Sequence, residues 1–209
     1  MIITNIIQNK RFKNYYDIYI DDEYLFFVTY KELKFLKLKE NDLLSEEILH
    51  KIYRDYVYPR AKNRAFRLLQ RRDMPKKEII KKLKETGYNQ YIINKVIEFL
   101  EEYNFIDDRK YTEKYINYNK TKKSLKQINI ELIRKGISKD IVEEFADYTE
   151  ICEEDIAYNL IYKKYKNLDT IDNKIKRRMI SYLMRKGYNY GLISKVINQF
   201  IQNEKLTNT

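Results

Sequence analysis

Beyond residue 58, the apolar positions of this 209-residue chain follow a helical beat, and the beat recurs around three glycines. Gly87, Gly136 and Gly187 lie 49 and 51 residues apart. Leu83, Leu132 and Leu183 precede them by four residues, and Ile79, Ile128 and Met179 by eight. Tyr88, Ile137 or Tyr188 follows each glycine, and Asn89, Ser138 or Asn189 comes next. Then come Ile92/Ile141/Leu192, Ile93/Val142/Ile193, Val96/Phe145/Val196 and Ile97/Ala146/Ile197. The positions before each glycine line one face of a helix, and those after it line a face of the next. Glycine permits the positive φ that ends a helix, and Asn or Ser two residues on is a natural N-cap. The pattern predicts helix, glycine stop, cap and helix, three times over.

A further helix precedes each pair. The first runs from about Ala61 to Arg72, with Pro59 near its first turn and Ala65, Leu68 and Leu69 as core candidates. The second follows Asp107-Asp108, either of which can cap it, and carries Tyr111, Tyr115 and Tyr118 at helical spacing. That spacing predicts packing in a core or interface rather than stacking on bases. The third spans roughly Ile156 to Lys166, and Ser124 with Gln127 predicts a capping box. The chain therefore reads as mainly α, with three tandem three-helix repeats over 59–103, 104–150 and 151–209. Units of about 50 residues bury too little apolar surface to offset the entropy of ordering them alone. Stacking into an elongated, curved body is the expected solution.

Residues 1–58 alternate differently. "NYYDIYI" and "YLFFVTY" flank Asp21-Asp22-Glu23 and predict a β-hairpin, with Ile2 to Gln8 offering a third strand. Thr29 with Glu32 predicts a capping box opening a short helix through about Leu38. Ser45, followed by Glu46 and Glu47, opens another. This is a small α+β N-terminal module.

Composition narrows the function. Four Gly and two Pro disfavour a turn-rich all-β fold. The longest strongly apolar run, Leu25 to Val28, cannot cross a bilayer, and the first residues lack the pattern of a secretory signal. One cysteine (Cys152) and one histidine (His50) supply neither an intramolecular disulfide nor a zinc cage, which fits the cytoplasm. No carboxylate cluster with His or Lys suggests a nuclease, and Asp107-Asp108 reads as a helix cap rather than a metal site. Neither a catalytic residue nor a cofactor is expected.

Charge does more. Residues 1–58 hold nine Lys/Arg against ten Asp/Glu, so the net charge of +11 resides wholly in residues 59–209. Residues 60–87 carry eleven basic and three acidic side chains, 120–139 seven and one, and 163–187 nine and two. Residues 140–155 carry eight acids and no base. Basic bands of this kind suit an anionic partner, either nucleic acid or an acidic protein surface. A solvated face enriched in lysine by base composition is the plain alternative. The candidates are Arg64, Arg67, Arg71, Arg72, Lys81 and Lys82; Lys122, Lys123, Arg134 and Lys135; and Arg177, Arg178, Arg185 and Lys186. The arginines weigh most, because a guanidinium grips phosphate or carboxylate with two hydrogen bonds.

The segments "AKNRAFRLLQRRDMPKKEIIKKLKETGY", "FIDDRKYTEKYI" and "INIELIRKGISKDIVEE", with the third repeat, resemble the RecX family of RecA recombinase regulators. The resemblance covers about residues 60–203, and the module before them is similar to the N-terminal extension of Gram-positive members. Pro75 stands where many members have a capping Ser. The resemblance implies a non-enzymatic protein that binds RecA filaments on DNA and limits filament growth, ATP hydrolysis and strand exchange. It implies the recombinase filament as partner, single-stranded DNA as a further one, directly or within the filament, and a monomeric state. The rival reading is a helix-turn-helix transcription regulator, given the helix–glycine–helix spacing. Against it stand leucine four residues before each glycine and the acids Glu98, Glu101, Glu143 and Glu144 on the would-be recognition helices.

Overall fold

The computed structural model describes residues 1–147, 152–168 and 171–207, and the side chains of all these except 146, 147 and 204–207. The chain divides into two compact units, Met1–Asp107 and Asp108–Thr209.

The first unit opens with an antiparallel sheet in the order β1 (Ile3–Gln8), β2 (Tyr15–Ile20) and β3 (Glu23–Thr29). Asp21 and Asp22 form the two-residue hairpin turn, with φ of 49° and 67°. Such turns need left-handed backbone at both central residues, which Asp tolerates better than most. Phe26, Phe27 and Val28 are all buried, so both faces of β3 are covered. Phe26 meets Tyr53 edge-on at 5.6 Å, and Phe27 lies 5.0 Å from Tyr88.

Helix α1 (Tyr30–Leu36) begins with the expected capping box, in which both the Thr29 and Glu32 halves form. Ser45 caps α2 (Glu46–Ile52) by accepting from the Ile48 N–H. The helix does not stop there. It continues through one π-turn, Tyr53–Val57, into α3 (Tyr58–Leu69), so the helix expected from Ala61 to Arg72 starts and ends three residues earlier. The π-turn is marked by the Tyr58 N–H donating to the Tyr53 carbonyl. Pro59 comes directly after it. Its ring would collide with a carbonyl four residues back and it offers no N–H, so a widened turn just before it accommodates both defects. Ala61, Ala65 and Leu68 are buried and Leu69 half-buried. Pro75 precedes α4 (Lys76–Thr86) without a side-chain cap, and α5 (Gln90–Glu102) completes the first repeat.

The second unit holds two repeats, α6 (Asp108–Asn119), α7 (Leu125–Lys135) and α8 (Lys139–Asp147), then α9 (Glu153–Tyr165), α10 (Asn173–Arg185) and α11 (Tyr190–Thr207). All three glycine corners take the same form. Gly87, Gly136 and Gly187 have φ of 105°, 97° and 90°. The residue after each donates back to the leucine carbonyl, at 3.3 Å in Tyr88→Leu83, 3.1 Å in Ile137→Leu132 and 3.3 Å in Tyr188→Leu183. Asn89, Ser138 and Asn189 then cap the next helix through Ile92, Ile141 and Leu192. The residues four and eight before each glycine are fully buried.

The middle repeat is the weakest copy. Ile141 and Phe145 are only half-buried, and the Ala146 side chain lies outside the described residues. Two expectations need correcting here. Tyr118 is 71% exposed and lies under Lys122, although Tyr111 and Tyr115 pack as expected. The capping box at Ser124 forms only half. Ser124 Oγ accepts from the Gln127 N–H, but the Gln127 amide turns to Glu131. The Ser124 N–H donates instead to the Lys186 carbonyl at 3.0 Å, because the third repeat's glycine corner sits against it.

Candidate nucleic-acid interface

Each repeat presents the basic face of its helices differently. In the first, Arg64, Arg67 and Arg71 follow one stripe at i, i+3 and i+7, beginning on α3 and ending in the turn after it. Arg67 and Arg71 are exposed. Arg64 is half-buried, and its buried Nε has no hydrogen-bond partner among the described residues. Arg72 is held by Glu78, and Lys82 pairs with Glu85 at 3.1 Å, while Lys81 is exposed.

In the second, Lys123 belongs to a network. Its ammonium sits 2.6 Å from Glu131, which also accepts from Tyr115 at 2.6 Å and Gln127 at 3.1 Å. Burial would raise the Glu131 carboxyl, but bonds from Lys123, Tyr115 and Gln127 more than offset this and hold it at about 2. Tyr115 is pushed up by burial and by the bond it donates to that carboxylate. Lys123 is thus committed internally. Lys122 and Lys135 cover the Tyr118 and Tyr115 rings, at 3.1 and 5.4 Å, and Arg134 is exposed. Because the Glu131 pKa is lower in the folded than in the unfolded chain, the network's stability is present above about pH 4.3 and is lost as pH falls toward 2. The melting temperature of the parent should therefore fall more steeply over this range than that of Glu131→Gln. Parallel curves would show that the network stores no such stability.

The third repeat gathers its candidates. Arg177, Arg178 and Arg185 on α10 line one open groove of about 1060 Å³ together with Lys164 and Lys174. Lys186 lies nearby with its ammonium 5.8 Å from the Tyr182 ring. Lys164 and Lys174 carry no signal at the glycine-centred spacing, so sequence reasoning passed over them; only the charge of residues 163–187 hinted at them. The acid band over 140–155 is described only in part, since 148–151 lie outside the described residues. Among the described residues no group of three or more His, Cys, Asp or Glu converges as a metal site, and no helix is long and apolar enough to cross a membrane.

These features define a class, the tandem three-helix repeat protein with a sheet-bearing N-terminal module and cationic helix faces. Comparison narrows it. Residues 61–100 match the family model for the first three-helix domain of RecX, and 153–197 that for the third. The chain is 34% identical to the regulatory protein RecX of Clostridium beijerinckii, with 94% of each chain covered. It is likewise 34% identical to that of Clostridium acetobutylicum, over 94% of this chain and 95% of that one. The chain belongs to the RecX family. A crystal structure of regulatory protein RecX shares the fold at a TM-score of 0.57 and 22% identity, covering 94% of this chain and 98% of the other. That of RecX from Lactobacillus salivarius gives 0.56 and 22%, covering 69% and 97%.

Proposed function

We propose that this chain is a non-enzymatic regulator of the RecA recombinase, acting in the cytoplasm as a monomer. It engages recombinase filaments on DNA and restrains their growth, ATP hydrolysis and strand exchange. The observation that carries this reading is the match, over 94% of the chain, to proteins named regulatory protein RecX. The exposed arginines support it, since a nucleoprotein filament offers phosphates and carboxylates that a guanidinium binds through paired hydrogen bonds. Sequence-specific duplex reading is disfavoured, because Glu98 and Glu101 stand exposed on α5 where a recognition helix would meet phosphates.

The test is ATP hydrolysis and filament assembly by the recombinase of the same organism on single-stranded DNA, with and without this protein. Suppression is expected at or below stoichiometric amounts. Replacing Arg64, Arg67 and Arg71 together by alanine should raise the protein needed for half-inhibition by about tenfold, equivalent to about 1.4 kcal/mol of binding. No effect of the folded parent chain on that recombinase would overturn the assignment.

A further inference from the structure

The three repeats share a fold but not a charge pattern, and the difference falls on particular positions. Nine residues before the glycine stand Glu78, Gln127 and Arg178; two before it stand Glu85, Arg134 and Arg185. In the first repeat these are the acids that hold Arg72 and Lys82. In the third, arginine has replaced both, and no described carboxylate lies within ion-pair distance of Arg177, Arg178 or Arg185. Among the described residues the one acid lining the groove, Asp172, is occupied in capping α10, its carboxylate accepting from the Ile175 N–H at 2.7 Å. Lys174, Arg177, Arg178 and Arg185 follow one face of α10 over about 16 Å. Ser181, also lining the groove, is small where the first repeat has Lys81 and the second Ile130, which keeps the trough open midway along that face.

We propose that this groove on the third repeat is a binding site for the phosphate backbone of single-stranded nucleic acid, and that it works without the recombinase. The five cations that line the groove among the described residues, beside the single carboxylate of Asp172, repel one another, and an anionic ligand relieves that repulsion. The groove is open and slightly exceeds the usual size of small-ligand pockets, which favours a polymer over a single small anion. The line of cations along α10 is longer than one phosphate or carboxylate can span. Tyr165 lines the same groove and Tyr182 lies beside it, with the Lys164 ammonium 4.3 Å from its ring. Aromatic rings beside a cationic track suit a strand whose bases are unpaired, and a duplex would hide those faces. An acidic protein surface could meet the charges but would make no use of the rings.

The choice of nucleic acid as the polyanion rests on the proposed role at recombinase filaments, but the test contains no recombinase. The full chain is titrated into a fluorescent oligothymidylate at several salt concentrations, and anisotropy is read. The double substitution Arg178→Glu with Arg185→Glu gives the third repeat the acids the first already carries, so the helix has a precedent for tolerating them. It should weaken binding at least about tenfold and reduce the log–log salt slope by about 1.4, for two phosphate contacts at about 0.7 each. A control of equal net charge change, Lys31→Glu with Lys37→Glu in the N-terminal module, should stay within about twofold of the parent. Equal losses in both variants would mean that net charge alone binds, and would overturn the site. So would undiminished binding by the double variant, or binding of poly-glutamate in place of the oligonucleotide. Suppression of recombinase ATP hydrolysis is read separately, so either reading can fail while the other stands.

Discussion

Replacing Gly187 by alanine should destabilise the second unit by about 2–4 kcal/mol, whereas Gly87→Ala should cost about 1–2 kcal/mol. Both residues have strongly positive φ, at 90° and 105°, and both changes incur the left-handed penalty of an L-residue. The surroundings make the difference. A Cβ on Gly187 would stand 2.5 Å from Ser124 Oγ and 2.7 Å from Gln127 Cβ, at the start of a neighbouring helix. Ser124 is held there by the bond from its N–H to the Lys186 carbonyl, so relief requires the two repeats to part. A Cβ on Gly87 would meet the Tyr24 hydroxyl at 3.1 Å, the far end of a side chain that can swing aside at the cost of the hydrogen bond it donates to the Gly87 carbonyl. Chemical denaturation of the two variants beside the parent measures both losses. Equal losses would show that the contact between the second and third repeats yields easily.

The second large effect is a ranking. Leu83, Leu132 and Leu183 occupy the same place in three copies of one motif, each with no exposed surface. Truncation to alanine at such a site costs about 2.7–5 kcal/mol, with the spread set by how far the cavity collapses. Leu83 lies in the large cluster that joins the sheet to the first repeat, where fully buried Ile79, Ile92 and Val96 share the packing. Leu132 lies in the smallest cluster among the described residues, beside half-buried Ile141 and Phe145 that can move inward. Leu83→Ala should therefore approach the upper end and Leu132→Ala the lower, with Leu183→Ala between them. The reverse order in denaturant titrations would refute the link between cluster size and rigidity.

Much of this architecture was legible in the sequence because each motif is local. A glycine stop, a capping Asn or Ser and apolar residues at helical spacing all act within one helical turn of themselves. The hairpin at Asp21-Asp22 and the capping box at Thr29 are equally local. What the sequence hid depends on distant neighbours. The half-formed box at Ser124 reflects a carbonyl 62 residues away. Tyr118 follows the spacing of Tyr111 and Tyr115 yet lies exposed, because it stands in the last turn of α6, where Lys122 rather than the core covers its ring. The site was legible as a set of charges but not as a geometry. Lys123 and Lys82 look no different in sequence from Lys164, yet the first two face carboxylates and the third opens onto a groove.

The π-turn at Tyr53–Val57 has a consequence for the whole first unit. One extra residue in a continuous helical rod shifts the angular phase of everything beyond it by about 100°. At its first residue the turn is tied to the sheet, with Tyr53 against Phe26; downstream the rod turns Ala61 and Ala65 toward the rest of the first repeat. The widened turn thus acts as a gear between two modules, letting a single rod mesh with a β layer at one end and an α layer at the other.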